Sequence, residues 1–73
     1  MAASSFLIQV LDAVRNIKIQ GKRDPEGAHA AEDKLYERVL REIANGHLTK
    51  AEAVAYATEA LKTKEAKFAR WTA

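Results

Sequence analysis

Asn45-Gly46-His47-Leu48-Thr49-Lys50-Ala51-Glu52 holds the end of one helix and the start of another. Gly46 has no Cβ, so it can take the left-handed conformation that closes a helix, and Asn45 is a common neighbour of such a stop. The preceding helix is therefore expected to end at Ala44 or Asn45. Thr49 followed three residues later by Glu52 is a capping box, in which each side chain satisfies the other residue's backbone amide. A new helix then begins at Lys50. Leu48, just ahead of the cap, is placed to staple against Ala53 or Val54 and set the angle of re-entry.

Upstream of this hinge, Ala28, Ala31, Leu35, Tyr36, Val39, Leu40 and Ile43 recur on one face, and Lys34, Arg38 and Arg41 form a solvated ridge on the other. The spacing predicts a helix over about 28–45. Asp24-Pro25-Glu26 has the chemistry of a helix start, with a capping carboxylate, a proline at the first position and an acid at the positive end of the dipole. Gly27 weakens that start, so the firm helix is placed from Ala28 and residues 20–27 are taken as a linker. Downstream, Ala53, Val54, Tyr56, Ala57, Ala60 and Leu61 line a helix over about 50–62. Its face is thin and mostly alanine, so the large side chains of the other helices must fill the core. Phe68 and Trp71 continue the same wheel, but Lys64, Glu65 and Lys67 interrupt it. A break near Thr63 is expected, with 63–73 as an aromatic and basic tail.

At the other end, Phe6, Leu7, Val10, Leu11, Ala13, Val14 and Ile17 fall on an arc of roughly 160°, which predicts an amphipathic helix over about 5–18. Ile8 and Ile19 lie off that arc. Ile19 is read as lying past the helix end, in a short extended piece over 17–20. Ile8 is either an isolated exposed apolar residue or part of a surface that meets a partner. The sum is an all-α single domain over 1–73: a small bundle of three main helices with a C-terminal aromatic and basic segment.

Composition agrees with that class. The chain has 73 residues, 48% hydrophobic and 30% charged, with one proline and three glycines, a balance that suits a helical globular domain. It has no cysteine, so disulfides and thiolate metal sites are excluded and a cytoplasmic setting is expected. No run approaches the roughly 18 apolar residues of a membrane span, and Met1 to Ile8 has no basic stretch ahead of its apolar residues, so neither a membrane association nor a signal peptide is expected. The net charge of +2 is unevenly spread. Arg15, Lys18, Lys22 and Arg23 make the first part basic, the middle of the chain is acidic, and Lys62, Lys64, Lys67 and Arg70 make the end basic again. Folded side by side, the two ends would form one basic surface suited to an acidic protein patch or to nucleic acid.

Catalytic chemistry has little to work with. His29 and His47 are the only histidines, and Ser4 and Ser5 the only serines. Glu26 and His29 match the spacing of di-iron bundle motifs, which require two such copies and two further glutamates. The chain holds one copy. Phosphate-binding glycine loops, paired zinc ligands and calcium loops do not occur in the sequence. The expectation is a non-enzymatic protein with no cofactor, no metal and no small-molecule substrate. A protein partner is expected, with the contact carried by Ile8, Arg15, Lys18, Ile19, Lys22, Arg23, Lys67, Phe68, Arg70 and Trp71.

Two alternatives stand beside it. Residues 28–45 and 50–62 could be a helix-turn-helix reading DNA, although Glu52 and Glu59 then lie where phosphate would approach. The stretch from Gly46 through Leu48, Thr49 and Glu52 to Ala53 resembles the turn of short bacterial oligomerisation modules and small antitoxins. The inhibitory motif of antitoxins that block Fic enzymes would fall on Lys22 to Gly27, where Lys22 departs from it. In size and layout the whole chain resembles the small lytic-phage proteins that bind and redirect host RNA polymerase. That resemblance implies a regulator of the transcription machinery.

Overall fold

A computed structural model describes residues 5–68 and residue 70. Its helices are α1 (Ser5–Gln20), α2 (Pro25–Ala44) and α3 (Lys50–Leu61), followed by a single 3₁₀ turn (Lys62–Glu65); the described residues contain no strand. The fold is an all-α bundle.

The hinge is built as its residues demand. Gly46 has φ of 79° and is the only described residue with positive φ. The Asn45 amide donates to the Arg41 carbonyl at 3.0 Å and the Gly46 amide to the Ile43 carbonyl at 3.1 Å, closing α2. The Thr49 amide donates to Glu52 Oε1 at 2.9 Å, and the Glu52 amide to Thr49 Oγ1 at 3.1 Å, completing the capping box. Leu48 packs against the edge of the core.

Several boundaries shift from the sequence expectation. Ile19 is not in an extended piece but in the last turn of α1, because the Gly21 amide still reaches the Ile17 carbonyl at 2.9 Å and Lys22 the Ile19 carbonyl at 3.2 Å. The α2 helix starts at Pro25 rather than Ala28, so the linker shrinks to residues 21–24. Asp24 caps it by accepting from the Gly27 amide at 3.0 Å, and a Cβ on Gly27 would lie 2.2 Å from the same carboxylate. Glycine is what lets the cap close. That hydrogen bond, helped by Gln20, holds the Asp24 carboxyl below its ordinary value.

The core is Val10, Val14 and Ile17 from α1, Ala28, Leu35 and Val39 from α2, and Tyr56 and Ala60 from α3. Phe6 meets Tyr56 edge to face at 5.1 Å between centroids, and Arg38 lies over the Phe6 ring at 5.3 Å. Such aromatic pairs contribute roughly 0.5–1.5 kcal/mol beyond their buried area, which matters where α3 offers mainly alanine. Leu11, Val54, Leu61 and Leu40, expected on buried faces, are exposed. Each sits at the margin of its helix's arc, and the narrow face of α3 around Tyr56 and Ala60 leaves no neighbour to cover them.

Candidate functional site

Glu32 is a fully buried charge, 1% exposed on the apolar face of α2 between Ala28 and Leu35. A buried carboxylate needs donors, and these arrive from the other end of the chain. Thr63, in the 3₁₀ turn, donates its hydroxyl at 2.6 Å. Arg70 grips both oxygens, Nε to Oε1 at 2.8 Å and Nη2 to Oε2 at 3.1 Å. Tyr36, one turn along α2, bonds Thr63 at 2.5 Å and lies 3.4 Å from Glu32 Oε2. Lys64 Nζ stands 3.7 Å from Oε1. Burial pushes the Glu32 carboxyl up, but the bonds from Arg70 and Thr63 and the charges of Arg70 and Lys64 outweigh it and hold the group below its ordinary range. Burial and the neighbouring carboxylate raise the Tyr36 hydroxyl.

Arg70 also organises the chain around it. Its guanidinium donates to the carbonyls of Thr63 at 2.9 Å, Ala66 at 3.1 Å and Phe68 at 3.3 Å, and stacks over the Phe68 ring at 3.9 Å. The helix stops at Leu61 because the following turn carries Thr63 inward to Glu32, and Ala66 then takes an extended conformation that turns the tail back. Phe68 is laid across the end of α1, where Gly21 receives it: a Cβ at Gly21 would lie 2.5 Å from the ring.

Between these segments lies a groove of about 420 Å³ lined by Lys18, Gly21, Lys22, Glu65, Ala66, Lys67 and Phe68. Lys18 donates to Glu65 across it at 2.7 Å, which lowers the Glu65 carboxyl. Lys22 and Lys67 make no ion pair among the described residues. The cationic rim sits at the negative end of the α1 dipole, which favours it. Lys18 and Lys22 from the first basic end thus meet Lys67 from the second, while Lys62, Lys64 and Arg70 are engaged by Glu59 and Glu32.

The structure gathers Lys18, Lys22, Lys67 and Phe68 in this groove, with Ile19 and Arg23 exposed beside it in sequence. Ile8 and Arg15 are not part of it; they lie farther up α1 and face solvent. Arg70 does not point outward with the other bases but inward, because Glu32 requires it. Trp71 lies outside the described residues. His29 approaches Asp33 at 3.6 Å, and among the described residues no three His, Cys, Asp or Glu side chains gather as a metal-binding group. No described helix is long and apolar enough to cross a membrane.

Sequence reasoning missed Glu32, Tyr36, Thr63 and Gly21 as the frame of the site. The signal for Glu32 was present: it stands four residues after Ala28 and three before Leu35, a carboxylate on an apolar stripe. No family model, curated protein or solved structure matches the chain.

Proposed function

We propose that the chain is a small regulator that acts by binding an acidic patch on a larger protein, without catalysis, and that the groove between α1 and the tail is the contact. The observation that carries this reading is the meeting of Lys22 and Lys67, with Lys18 held by Glu65, around the half-buried Phe68. Opposite charges steer the encounter and fix orientation, while an aromatic at the centre provides the apolar anchor such contacts concentrate on. The latch from Glu32 through Arg70 holds Phe68 in place before binding, which reduces the ordering needed on association.

The transcription machinery is the first assembly to test, since the size and layout of the chain resemble phage proteins that redirect RNA polymerase. Purified RNA polymerase should retain the wild-type chain on an affinity column. The double variant Lys22→Glu, Lys67→Glu should weaken that retention by about two orders of magnitude, at roughly tenfold per reversed contact, with helical content unchanged. Absence of retention removes polymerase as the partner. Retention indifferent to both charge and salt removes the groove. DNA reading is the competing function. The outward side of α3 presents Val54 and Leu61 together with Glu52, a poor surface against phosphate, and retardation of duplex DNA at low salt would favour it instead.

A further inference from the structure

The side of α1 turned away from the bundle carries Ile8, Leu11 and Ile19, which are 51%, 44% and 52% exposed, with Asp12 and Arg15 between them. At 100° per residue all five fall within an arc of about 100°. They form one stripe about 16 Å long. Three large apolar side chains aligned on one helix differ from the single exposed residues that any surface carries.

The stripe is complementary to itself when reversed. About an axis at the level of Ala13 and Val14, Ile8 of one copy meets Ile19 of the other, and Asp12 meets Arg15, each contact occurring twice. That reciprocity is what a two-fold interface requires. A parallel alignment in register would instead set Asp12 against Asp12 and Arg15 against Arg15, which repel. Within one chain Arg15 reaches Asp12 at only 3.4 Å, with both side chains more than half exposed, so both remain able to pair outward.

We infer that the chain forms a homodimer by antiparallel packing of α1 on α1, through Ile8, Leu11 and Ile19 with paired Asp12–Arg15 contacts across the axis. Lys22, Lys67 and Phe68 of the groove make none of these contacts, although Ile19 lies beside it in sequence. The dimer places the two grooves about 20 Å apart along the paired helices, and a partner bearing two acidic patches at that spacing would be held by both.

Sedimentation equilibrium of the full chain from about 1 µM to about 1 mM should show the mass rise from 8.1 kDa toward twice that value. Ile8→Asp, and independently Ile19→Asp, should keep it monomeric. Asp12→Arg or Arg15→Asp alone should weaken association about tenfold, since each creates two like-charge contacts, and the two together should restore it to within about threefold. Leu40→Asp, on an exposed position of α2, should leave association unchanged. All these positions are exposed, and thermal melts by circular dichroism identify any variant that has lost its helices. Four results would each overturn the inference: a mass of 8.1 kDa throughout, a dimer that survives both isoleucine variants, a charge exchange that fails to restore, or a dimer lost with Leu40→Asp.

Discussion

Arg70→Met is expected to destabilise the domain by about 3 kcal/mol, while Glu32→Met, on the other side of the same ion pair, costs about 1 kcal/mol or less. The asymmetry follows from where each charge sits. With Arg70 gone, the Glu32 carboxylate stays 1% exposed and keeps only the Thr63 hydroxyl at 2.6 Å, the Tyr36 hydroxyl at 3.4 Å and the Lys64 ammonium at 3.7 Å. Breaking a buried pair in this way usually costs about 3–5 kcal/mol. The partial access of water around Arg70, whose side chain is 21% exposed, and the nearness of Lys64 set the value at the low end. With Glu32 replaced by a methionine of similar volume, the Thr63 and Tyr36 hydroxyls still satisfy one another at 2.5 Å and Arg70 can turn to solvent.

A domain of this size has a total stability of about 4–11 kcal/mol, so Arg70→Met should lower the melting temperature by more than about 10 °C. Urea denaturation followed by circular dichroism at pH 7 measures each single variant and the double variant, which should fall within about 1 kcal/mol of Glu32→Met. The sign of the pH effect provides a second check. In Arg70→Met the main group that opposes burial is gone and only Thr63 and Lys64 still lower the carboxyl, so its folded value rises relative to the wild type. The deficit must then shrink as pH falls and the group takes up its proton. A loss below about 1 kcal/mol for Arg70→Met, or a Glu32→Met variant as unstable as Arg70→Met, would refute the account of Arg70 as the partner that makes a buried carboxylate tolerable.

In the wild type the sign is opposite. Glu32, Asp24 and Glu65 all have folded values below their ordinary 4.5, 3.8 and 4.5, so stability is complete above about pH 5 and declines as pH falls through the unfolded values toward the folded ones; melts at pH 7, 4 and 3 should show this, with the decline reduced in Glu32→Met. Thr49→Ala removes the hydroxyl half of the capping box and should cost about 1 kcal/mol in urea denaturation. Gly46→Ala should cost about 1 kcal/mol from left-handed strain alone, because a Cβ there meets nothing within 4 Å. Gly21→Ala should displace the Phe68 ring and weaken retention by the partner more than it lowers the melting temperature, a difference that affinity chromatography and a thermal melt read separately.

What the sequence revealed of this bundle was what local chemistry determines. The hinge at residues 45–52 was legible to within a residue because a left-handed glycine and a capping box each act within a few positions. The three-helix class followed from periodicity. The start of α2 was missed by three residues because Gly27 was weighed for its helix propensity, whereas in the fold its missing side chain makes room for the Asp24 carboxylate. The same limit applies to the site. Glu32 could be seen on an apolar stripe, but its partner lies 38 residues away in a segment with no helical period. Periodicity carries no information about such a contact, and Arg70 looked like one more exposed base.

That misplacement bears on why the groove exists. The tail has no regular element to hold it. The Thr63 carbonyl already accepts from the Ala66 amide at 3.0 Å, but docking Phe68 alone against the end of α1 would leave the Ala66 and Phe68 carbonyls without the donors that Arg70 gives them. Arg70 supplies donors to all three, and Glu32 fixes Arg70. A hydrophobic pair at positions 32 and 70 could make the core as stable or more so, but it would give those carbonyls nothing and would leave Phe68 unaimed. The buried ion pair is therefore better understood as a device for orientation than for stability. The variant pair separates the two roles, since Glu32→Met should lower the melting temperature by no more than about 4–8 °C while loosening Phe68 and with it the hold on an acidic partner.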